Sequence, residues 1–482
     1  MFTLNPEDML ITRVVSRSAL VGAMVAASGW FGAAGAQGFG LSEIGTCAVA
    51  RGFAVTGATC NDGSVIYWNP AAATRLPEKT ITGGIAAIKV TGSFRQDTTG
   101  RRFKGNVPTE FPPHLFGNYT RGQWAYGLGI YVPYGLTSQW RDDFPGRFSA
   151  LKASLQTIYI QPNIAYAITP NWSVGIGPVF GHSSVELIQA VDLAEQLVPG
   201  SPAPITFGQL GIPARTEFAR AKLEGSGTAW GVNVGVHGKI TPEWTVGVRY
   251  LSELKFKYKD ANATFEQRPT GITLAANNPL GQPAGTPLDT LLARTAFSDS
   301  GALVAQKGNS KISHPWQFQI GVGYTGLPGT TLSFDIARIG WSSFDRLPIE
   351  FEGPASGSNR ELIEDFDDSW AFRFGAEHIL QAPGRWQGWT LRGGFSYAGS
   401  PAPDETVTPL LPDMNRQNFS LGVGIPISTK YRLDASYLFV GTQGRRGRIH
   451  ERASPTQTAQ QLNTGAYALK ANVFSLSFTA SF

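Results

Sequence analysis

Residues 244–258 read WTVGVRYLSELKFKY. In an extended chain Trp244, Val246, Val248, Tyr250, Leu254, Phe256 and Tyr258 share one face, and Thr245, Gly247, Arg249, Glu253, Lys255 and Lys257 share the other. Strand side chains alternate with a period of two, so the stretch reads as one strand with an apolar and a charged side. In a soluble sandwich the apolar side would point inward. Here the strand is long and its other face carries paired charges suited to a wet lumen, so the apolar side is assigned to lipid and the fold to a transmembrane β-barrel.

The pattern recurs. Trp172, Val174, Ile176 and Phe180 alternate with Ser173, Gly175, Gly177 and Gly181; Trp230, Val232, Val234 and Val236 alternate with Gly231, Asn233, Gly235 and His237; Trp370, Phe372 and Phe374 alternate with Arg373, Gly375 and Glu377. Ile168-Thr169-Pro170-Asn171-Trp172 and Ile240-Thr241-Pro242-Glu243-Trp244 are two copies of one tight connection, each placing a Trp at a membrane interface, and are read as periplasmic turns. Around them the expected strands are 80–95, 112–121, 123–138, 151–168, 172–186, 227–240, 244–259, 313–326, 330–351, 369–381, 389–400, 415–428, 431–441 and 467–482. The fold class is therefore all-β, a 14-stranded antiparallel transmembrane barrel over residues 80–482. Closure removes sheet edges and satisfies every backbone group in lipid. Long extracellular loops are expected at 187–226 and 260–312, with short amphipathic helices at Leu187–Leu197 and Leu288–Arg294.

Ahead of the barrel, Gln37–Ala71 carries glycines, small residues and both cysteines but no sustained period, so it cannot bury a core of its own. Residues 37–79 are expected to fold inside the barrel as a plug, or hatch. Cys47 and Cys60, an even pair in an exported chain, are read as a disulfide rather than a metal or redox site, and no metal or cofactor is called. Residues 1–36 read as a signal peptide: Arg13 and Arg17, then an apolar run ending Ala34-Gly35-Ala36. Initiation at Met9 instead of Met1 would leave Glu7 and Asp8 out of its charged start.

With 482 residues, mean hydropathy −0.10 and 16% charged residues, the chain is neither a helical membrane bundle nor disordered. A net charge of +5 without a dense basic stripe argues against nucleic acid. The one basic cluster, Arg445-Arg446-Gly447-Arg448, is read as a solvated loop or a contact for lipopolysaccharide phosphate. His237 has no Ser or Asp motif beside it, so no catalytic site is read and the chain is not taken for an enzyme. Val132-Pro133-Tyr134-Gly135 puts a residue without an N–H donor into a strand that begins Trp124-Ala125-Tyr126. Either the strand kinks there or it simply ends; both readings stay open. Alternate aromatics through Phe474, Phe478 and Phe482 resemble the terminal signal taken up by the outer-membrane assembly machinery.

Several short motifs in order carry a resemblance. Gly38-Phe39-Gly40-Leu41-Ser42-Glu43, Asn69-Pro70-Ala71, Tyr134-Gly135-Leu136, Arg249-Tyr250-Leu251-Ser252-Glu253-Leu254-Lys255, Trp341-Ser342-Ser343-Phe344, Ser400-Pro401-Ala402-Pro403 and Leu411-Pro412-Asp413 together resemble the FadL family of outer-membrane transporters for long-chain fatty acids and aromatic hydrocarbons. The resemblance implies a plugged fourteen-stranded barrel, ligand-gated passive transport and lateral exit through an opening at a kinked strand. It implies that Phe39 lines the ligand pocket, that Asn69, Pro70 and Ala71 form the hatch turn, and that Pro133, Tyr134 and Gly135 form the opening. The family's basic residue for a fatty-acid carboxylate falls near His182, and the cysteine pair departs from the best-known fatty-acid member. The expected partners are hydrophobic small molecules, outer-membrane lipid with lipopolysaccharide, and the assembly machinery, in the outer membrane of a Gram-negative cell, with a monomer as the state. A general diffusion porin and an adhesin or receptor are the rival functions.

Overall fold

The protein is described by a computed structural model over residues 38–198, 204–450 apart from 277, 279, 355, 357, 358 and 382, and 456–482. The signal-peptide reading, 1–36, falls outside the described residues.

Alternating side chains fold the chain into fourteen barrel strands: β1 Lys79–Gln96, β2 Pro113–Arg121, β3 in two pieces (Trp124–Tyr131 and Gly135–Gln139), β4 Lys152–Ala167, β5 Trp172–Asp192, β6 Glu217–Lys239, β7 in two pieces (Trp244–Leu251 and Leu254–Gln267), β8 in two pieces (Gln306–His314 and Gln317–Leu327), β9 Thr330–Ile339, β10 Ser369–Ile379, β11 Thr390–Ala398, β12 Arg416–Pro426, β13 Tyr431–Thr442 and β14 Gly465–Ser481. Every neighbouring pair is antiparallel, and β1 closes on β14 from Thr80↔Ser481 to Gln96↔Gly465. The outward positions form an apolar belt that includes Ile81, Leu115, Trp124, Trp172, Trp244, Phe374, Phe419 and Phe474, all exposed. The inward positions carry His237, Arg249, Asp335, Arg373, Arg392 and Asp434, all buried. That inversion, apolar out and charged in, is what a bilayer demands of a barrel with a polar interior.

Residues 38–78 fill that interior. They form two short helices, α1 Thr46–Ala50 and α2 Val65–Trp68, then a 3₁₀ turn Pro70–Arg75, held by the Cys47–Cys60 disulfide. The seat is built from lumenal glycines. A Cβ at Gly175 would lie 2.5 Å from Ala71 N, and one at Gly247 only 1.9 Å from Thr56 O. The wall also reaches in with polar groups: Thr56 N donates to Asp335 Oδ2 (2.7 Å), Gln161 Nε2 to Ile66 O (2.8 Å), and Arg432 Nη2 lies 3.8 Å from Asp62 Oδ2. Burial pushes the Asp62 carboxyl upward from its ordinary value, against the pull of Arg432 and Ser64.

Three expectations need correction. Trp244–Tyr258 is not one strand with one lipid face: the ladder breaks at Ser252-Glu253, so Tyr250 is exposed outside while Leu254, Phe256 and Tyr258 are buried inside. The upper β7 piece turns inward over glycines of β6, where a Cβ at Gly231 would lie 2.4 Å from Leu254 Cδ1. The expected helix at Leu187–Leu197 is instead strand to Asp192 and one 3₁₀ turn, Leu193–Glu195. There β6 runs alongside and pairs from Leu187↔Leu223 to Asp192↔Glu217, and a helix would leave that edge without partners. The strands accordingly extend into both regions read as loops, 187–226 and 260–312, through Asp192, from Glu217, through Gln267 and from Gln306. The second loop does contain a helix, α3 Leu288–Thr295, and its Leu288 and Leu292 pack with Leu193, Phe207 and Phe218 of the first.

The basic cluster is engaged within the protein. Arg445–Gly447 is a short strand rather than a loop: Arg445 donates to Asp404 and Ser400, Arg446 donates to Asp97 while remaining exposed, and Arg448 is buried.

Candidate functional site

Pro133 kinks β3 in mid-wall, because it has no N–H and its ring fixes φ. The lower piece of β3 pairs with β2 only as far as Ile130↔Leu115, and the upper piece pairs with β4 alone. Above, the Gly105↔Trp140 bridge and the bond from Asn106 N to Gln139 O (2.7 Å) rejoin the wall. Between these levels the ladder is missing, and Phe111 stands exposed on the rim.

From inside, the start of the plug supplies part of the missing ladder. Leu41 N donates to Pro133 O (2.9 Å) and Gly135 N donates to Phe39 O (3.0 Å), with Gly40 bridged to Tyr134. Arg416 Nη2, at the upper end of β12, donates to Gly38 O (3.0 Å) and lies 3.4 Å from Asp413 Oδ1, while Ser400 Oγ donates to Asp413 Oδ2 (2.7 Å). Gly38 has φ +50°, and a Cβ there would lie 2.7 Å from the Trp341 ring. Only glycine fits that approach.

The Phe39 ring is 3% exposed and enclosed by four others: Trp341 at 4.7 Å and Phe344 at 5.2 Å between centroids, His314 at 5.6 Å and Tyr134 at 5.9 Å. The Trp341, Phe344 and Tyr134 contacts are edge-to-face, the geometry aromatic quadrupoles prefer. Polar tips are tied off: Tyr134 OH donates to Pro315 O (3.0 Å) and accepts from Gln317 Nε2 (2.9 Å), and Tyr159 OH lies 2.9 Å from His314 Nδ1.

Beside this box lies a cavity of about 650 Å³ that runs from Leu41 and Glu43 past Val90, Leu136 and Leu155 to Phe111 at the outer rim. The acidic groups on its lining are Glu43, Glu110 and Asp413. Burial pushes the Glu43 and Asp413 carboxyls upward, with Arg416 among the groups pulling them back.

The predicted residues fall into three places. Phe39, Pro133, Tyr134 and Gly135 meet at the interruption of β3. Asn69, Pro70 and Ala71 lie elsewhere, on the plug seat: Asn69 Nδ2 donates to Thr56 O and Val236 O (3.0 Å each), and Ser173 Oγ donates to Ala71 O (3.0 Å). His182 lies on the exposed outer side of β5, at the outer end of the cavity rather than in the lumen. His237 is a plug support that accepts from Arg75 Nε (2.9 Å) and reaches Gly57 O (2.9 Å). Sequence reasoning missed His314, Arg416 and the roles of Trp341 and Phe344. The motif Trp341-Ser342-Ser343-Phe344 was visible as a motif, but nothing local says that it wraps a ring about 300 positions earlier.

Comparison with known proteins agrees with this architecture. The family model described as outer membrane protein transport protein (OMPP1/FadL/TodX) matches residues 25–482. The long-chain fatty acid transport protein of Escherichia coli K12 is 25% identical over 452 residues, covering 89% of this chain and 92% of that protein. Outer membrane protein P1 of Haemophilus influenzae is 21% identical over 97% of this chain and 99% of its own length. Among solved structures, a Pseudomonas aeruginosa FadL homologue superimposes with TM-score 0.75 at 19% identity, covering 92% of this chain and all of the other. The P. putida toluene transporter TodX gives TM-score 0.62 at 15% identity, covering 91% and 98%. A closed fourteen-stranded barrel with its start folded inside and a family match along nearly its whole length make this chain a member of the FadL/TodX family of outer-membrane transporters of hydrophobic compounds.

Proposed function

We propose that the chain takes up neutral hydrophobic molecules at the cell surface and releases them sideways into the outer membrane between β2 and β3, with Phe39–Leu41 as the gate. The observation that carries this reading is the main-chain pairing of Phe39 and Leu41 with Pro133 and Gly135, directly beside an apolar cavity that reaches the outer wall. The segment closes a gap that the barrel itself leaves open. A cavity of about 650 Å³ holds a small ligand. An apolar molecule that displaces the Phe39 ring hides similar apolar area, so the exchange is close to balanced and the gate responds to ligand.

The electrostatics favour a neutral cargo. The carboxyls of Glu43, Glu110 and Asp413 border the cavity, and Arg416 is already bonded to Asp413 and Gly38. An acidic cargo would meet an unengaged basic group only toward the outer wall, at Lys470 and His182, which keeps His182 as the proposed head-group contact. The relatives' names span both classes, fatty acids and toluene.

Gly135→Arg is the direct test. The nearest atoms to a Cβ there are Leu41 Cδ1 at 3.0 Å, Leu155 O at 3.6 Å and Leu41 Cγ at 3.8 Å, so a long side chain extends into the proposed opening at the expense of a flexible leucine tip. Uptake of labelled toluene should fall at least about tenfold while binding to purified protein persists. Normal uptake by the folded variant would redirect the route through the plug, and a large steady single-channel current in the wild type would favour the porin instead.

A further inference from the structure

We propose that the outer face of β1, β14 and the short strand Arg102–Lys104 binds the phosphorylated head of a lipopolysaccharide molecule. This rests on the outer-membrane setting and not on the cargo.

Arg102–Lys104 pairs with the upper end of β1, placing Arg102 directly opposite Arg95 and Lys104 opposite Ser93. On the other side Thr91 pairs with Lys470 of β14. Lys89, Arg95, Arg102, Lys104 and Lys470 are all exposed, while the alternate residues Phe94, Phe103 and Tyr467 are buried inside. The five cations therefore share the outer face. The outward positions of β1 and β14 bring no acid with them: they are Ile81, Gly83, Ile85, Ala87, Thr91 and Ser93 on one and Ala468, Asn472, Phe474, Leu476 and Phe478 on the other.

Like charges set directly across a ladder are destabilising. Here the nearby acids are engaged elsewhere. Asp97 is held by Arg446, Asp143 by Arg101 (2.7 Å), and Glu110 turns to the cavity and accepts from Thr137 (3.0 Å). Among the described residues Arg95, Arg102, Lys104 and Lys470 have no ion-pair partner, and Lys89 donates only to Val107 O (3.0 Å).

The height of the patch selects the ligand. Lys79 opens β1 at the lower interface, beside Tyr431 and Phe482. Lys89 is ten residues further on, about 33 Å along a strand and about 25 Å along the barrel axis at the usual tilt. That is the height of the apolar band of an outer-membrane barrel, and Ile81, Ile85, Phe474 and Leu476 occupy the interval as exposed outward residues. Lys89 and Lys470 thus meet the outer leaflet at its head groups, and Lys104 rises about 10 Å and Arg95 and Arg102 about 15 Å above it. A ligand spanning both levels carries acyl chains, a phosphorylated sugar at the interface and further anionic groups above. Arginine forks bind phosphate in pairs, and lysines act as point charges beside them.

The test uses the full chain purified in detergent. Native mass spectrometry would follow binding of bis-phosphorylated lipid A, the same lipid with both phosphates removed, phosphatidylglycerol and inorganic phosphate. Wild-type protein should retain bis-phosphorylated lipid A at least tenfold better than the dephosphorylated form or phosphatidylglycerol. Each of Arg95→Gln, Arg102→Gln, Lys104→Gln and Lys470→Gln should weaken retention about fivefold. Arg95→Lys with Arg102→Lys should keep most of it, and Lys239→Gln with Lys430→Gln at the opposite end should change nothing. Equal retention of the dephosphorylated lipid or of phosphatidylglycerol by the wild type, or unchanged retention by a variant carrying all four of these Gln substitutions, would overturn the proposal. Displacement by millimolar inorganic phosphate would overturn it as well, as a site for the ion alone.

Discussion

Two strands of this barrel are interrupted in mid-wall, and they solve the interruption in opposite ways. At Ser252-Glu253 in β7 the chain stitches itself: Ser252 N donates to Val232 O (2.9 Å), and Ser252 Oγ accepts from Val232 N (2.9 Å). The strand then swings inward and buries Leu254, Phe256 and Tyr258 over glycines of β6 and β5, so side chains pack where the β6–β7 ladder is interrupted between Asn233 and Glu224. At Pro133 in β3 nothing in the wall makes the bonds. They are made by Phe39 and Leu41, residues of a segment that belongs to the plug. A break sealed by packing is structural, whereas a break sealed by a separable segment can open. Side chain against glycine closes the first; main chain against main chain, with a cavity behind it, closes the second.

The largest effect that would sharpen this contrast comes from the sealed break. Leu254→Ala removes a side chain 1% exposed that fits against Gly231 and Gly181, and should cost about 2–5 kcal/mol of barrel stability. The loss would appear as a lower midpoint of heat-induced mobility change on gels, with toluene uptake per folded molecule unchanged. If uptake rose instead, the β7 break would also be a passage and the contrast would fail. Cys47→Ser with Cys60→Ser tests whether the plug behaves as a separate unit. The bridge spans 13 positions, and its loss should loosen the plug by about 3 kcal/mol, seen as faster amide exchange over residues 45–62 at an unaltered barrel midpoint.

Next in size is Phe39→Ala. If Phe39 is the proposed gate, removing its ring leaves the box of Trp341, Phe344, His314 and Tyr134 open to ligand without competition. Apparent affinity for toluene in tryptophan-quenching titrations should rise about tenfold, because the binding-competent state no longer has to be selected. Identical affinities in the two proteins would move the ligand pocket away from Phe39.

These two breaks also mark what the sequence could and could not say. Strand count was legible because lipid outside and water inside impose a strict two-residue alternation, as in Trp172–Gly181 and Trp230–His237, but the expected strand 330–351 stops at Ile339, where Trp341–Ser343 turns and Arg346–Phe351 forms a separate short strand. The Pro133 kink was visible as a lost donor. The β7 break was not, because Leu254, Phe256 and Tyr258 continue the apolar alternation of Trp244–Tyr250, and an apolar residue is acceptable both toward lipid and in a packed lumen. Leu187–Leu197 misled for a related reason: its spacing satisfies a helix and a strand about equally, and only the neighbouring β6 decides. The aromatic box was illegible because Phe39, His314 and Trp341 meet only after the barrel closes, and no local pattern encodes such a meeting.

The smallest effect is the most discriminating. Arg416 Nη2 donates to Gly38 O and lies against Asp413, so it holds the start of the proposed gate from the polar side of the cavity. In Arg416→Gln that charge-assisted bond is lost, and the buried Asp413 keeps Ser400 as its hydrogen-bond donor. A bond of this kind, from a guanidinium about one quarter exposed, contributes about 1 kcal/mol, or about fivefold in the balance between seated and released states. Two amides report that balance directly: Leu41 N, bonded to Pro133 O, and Gly135 N, bonded to Phe39 O. Both should exchange about fivefold faster in the variant. Ser252 N, bonded across the other break to Val232 O, should exchange at its original rate. If all three quickened together, the plug segment and the barrel wall would be opening as one unit, and Phe39–Leu41 would not be a gate.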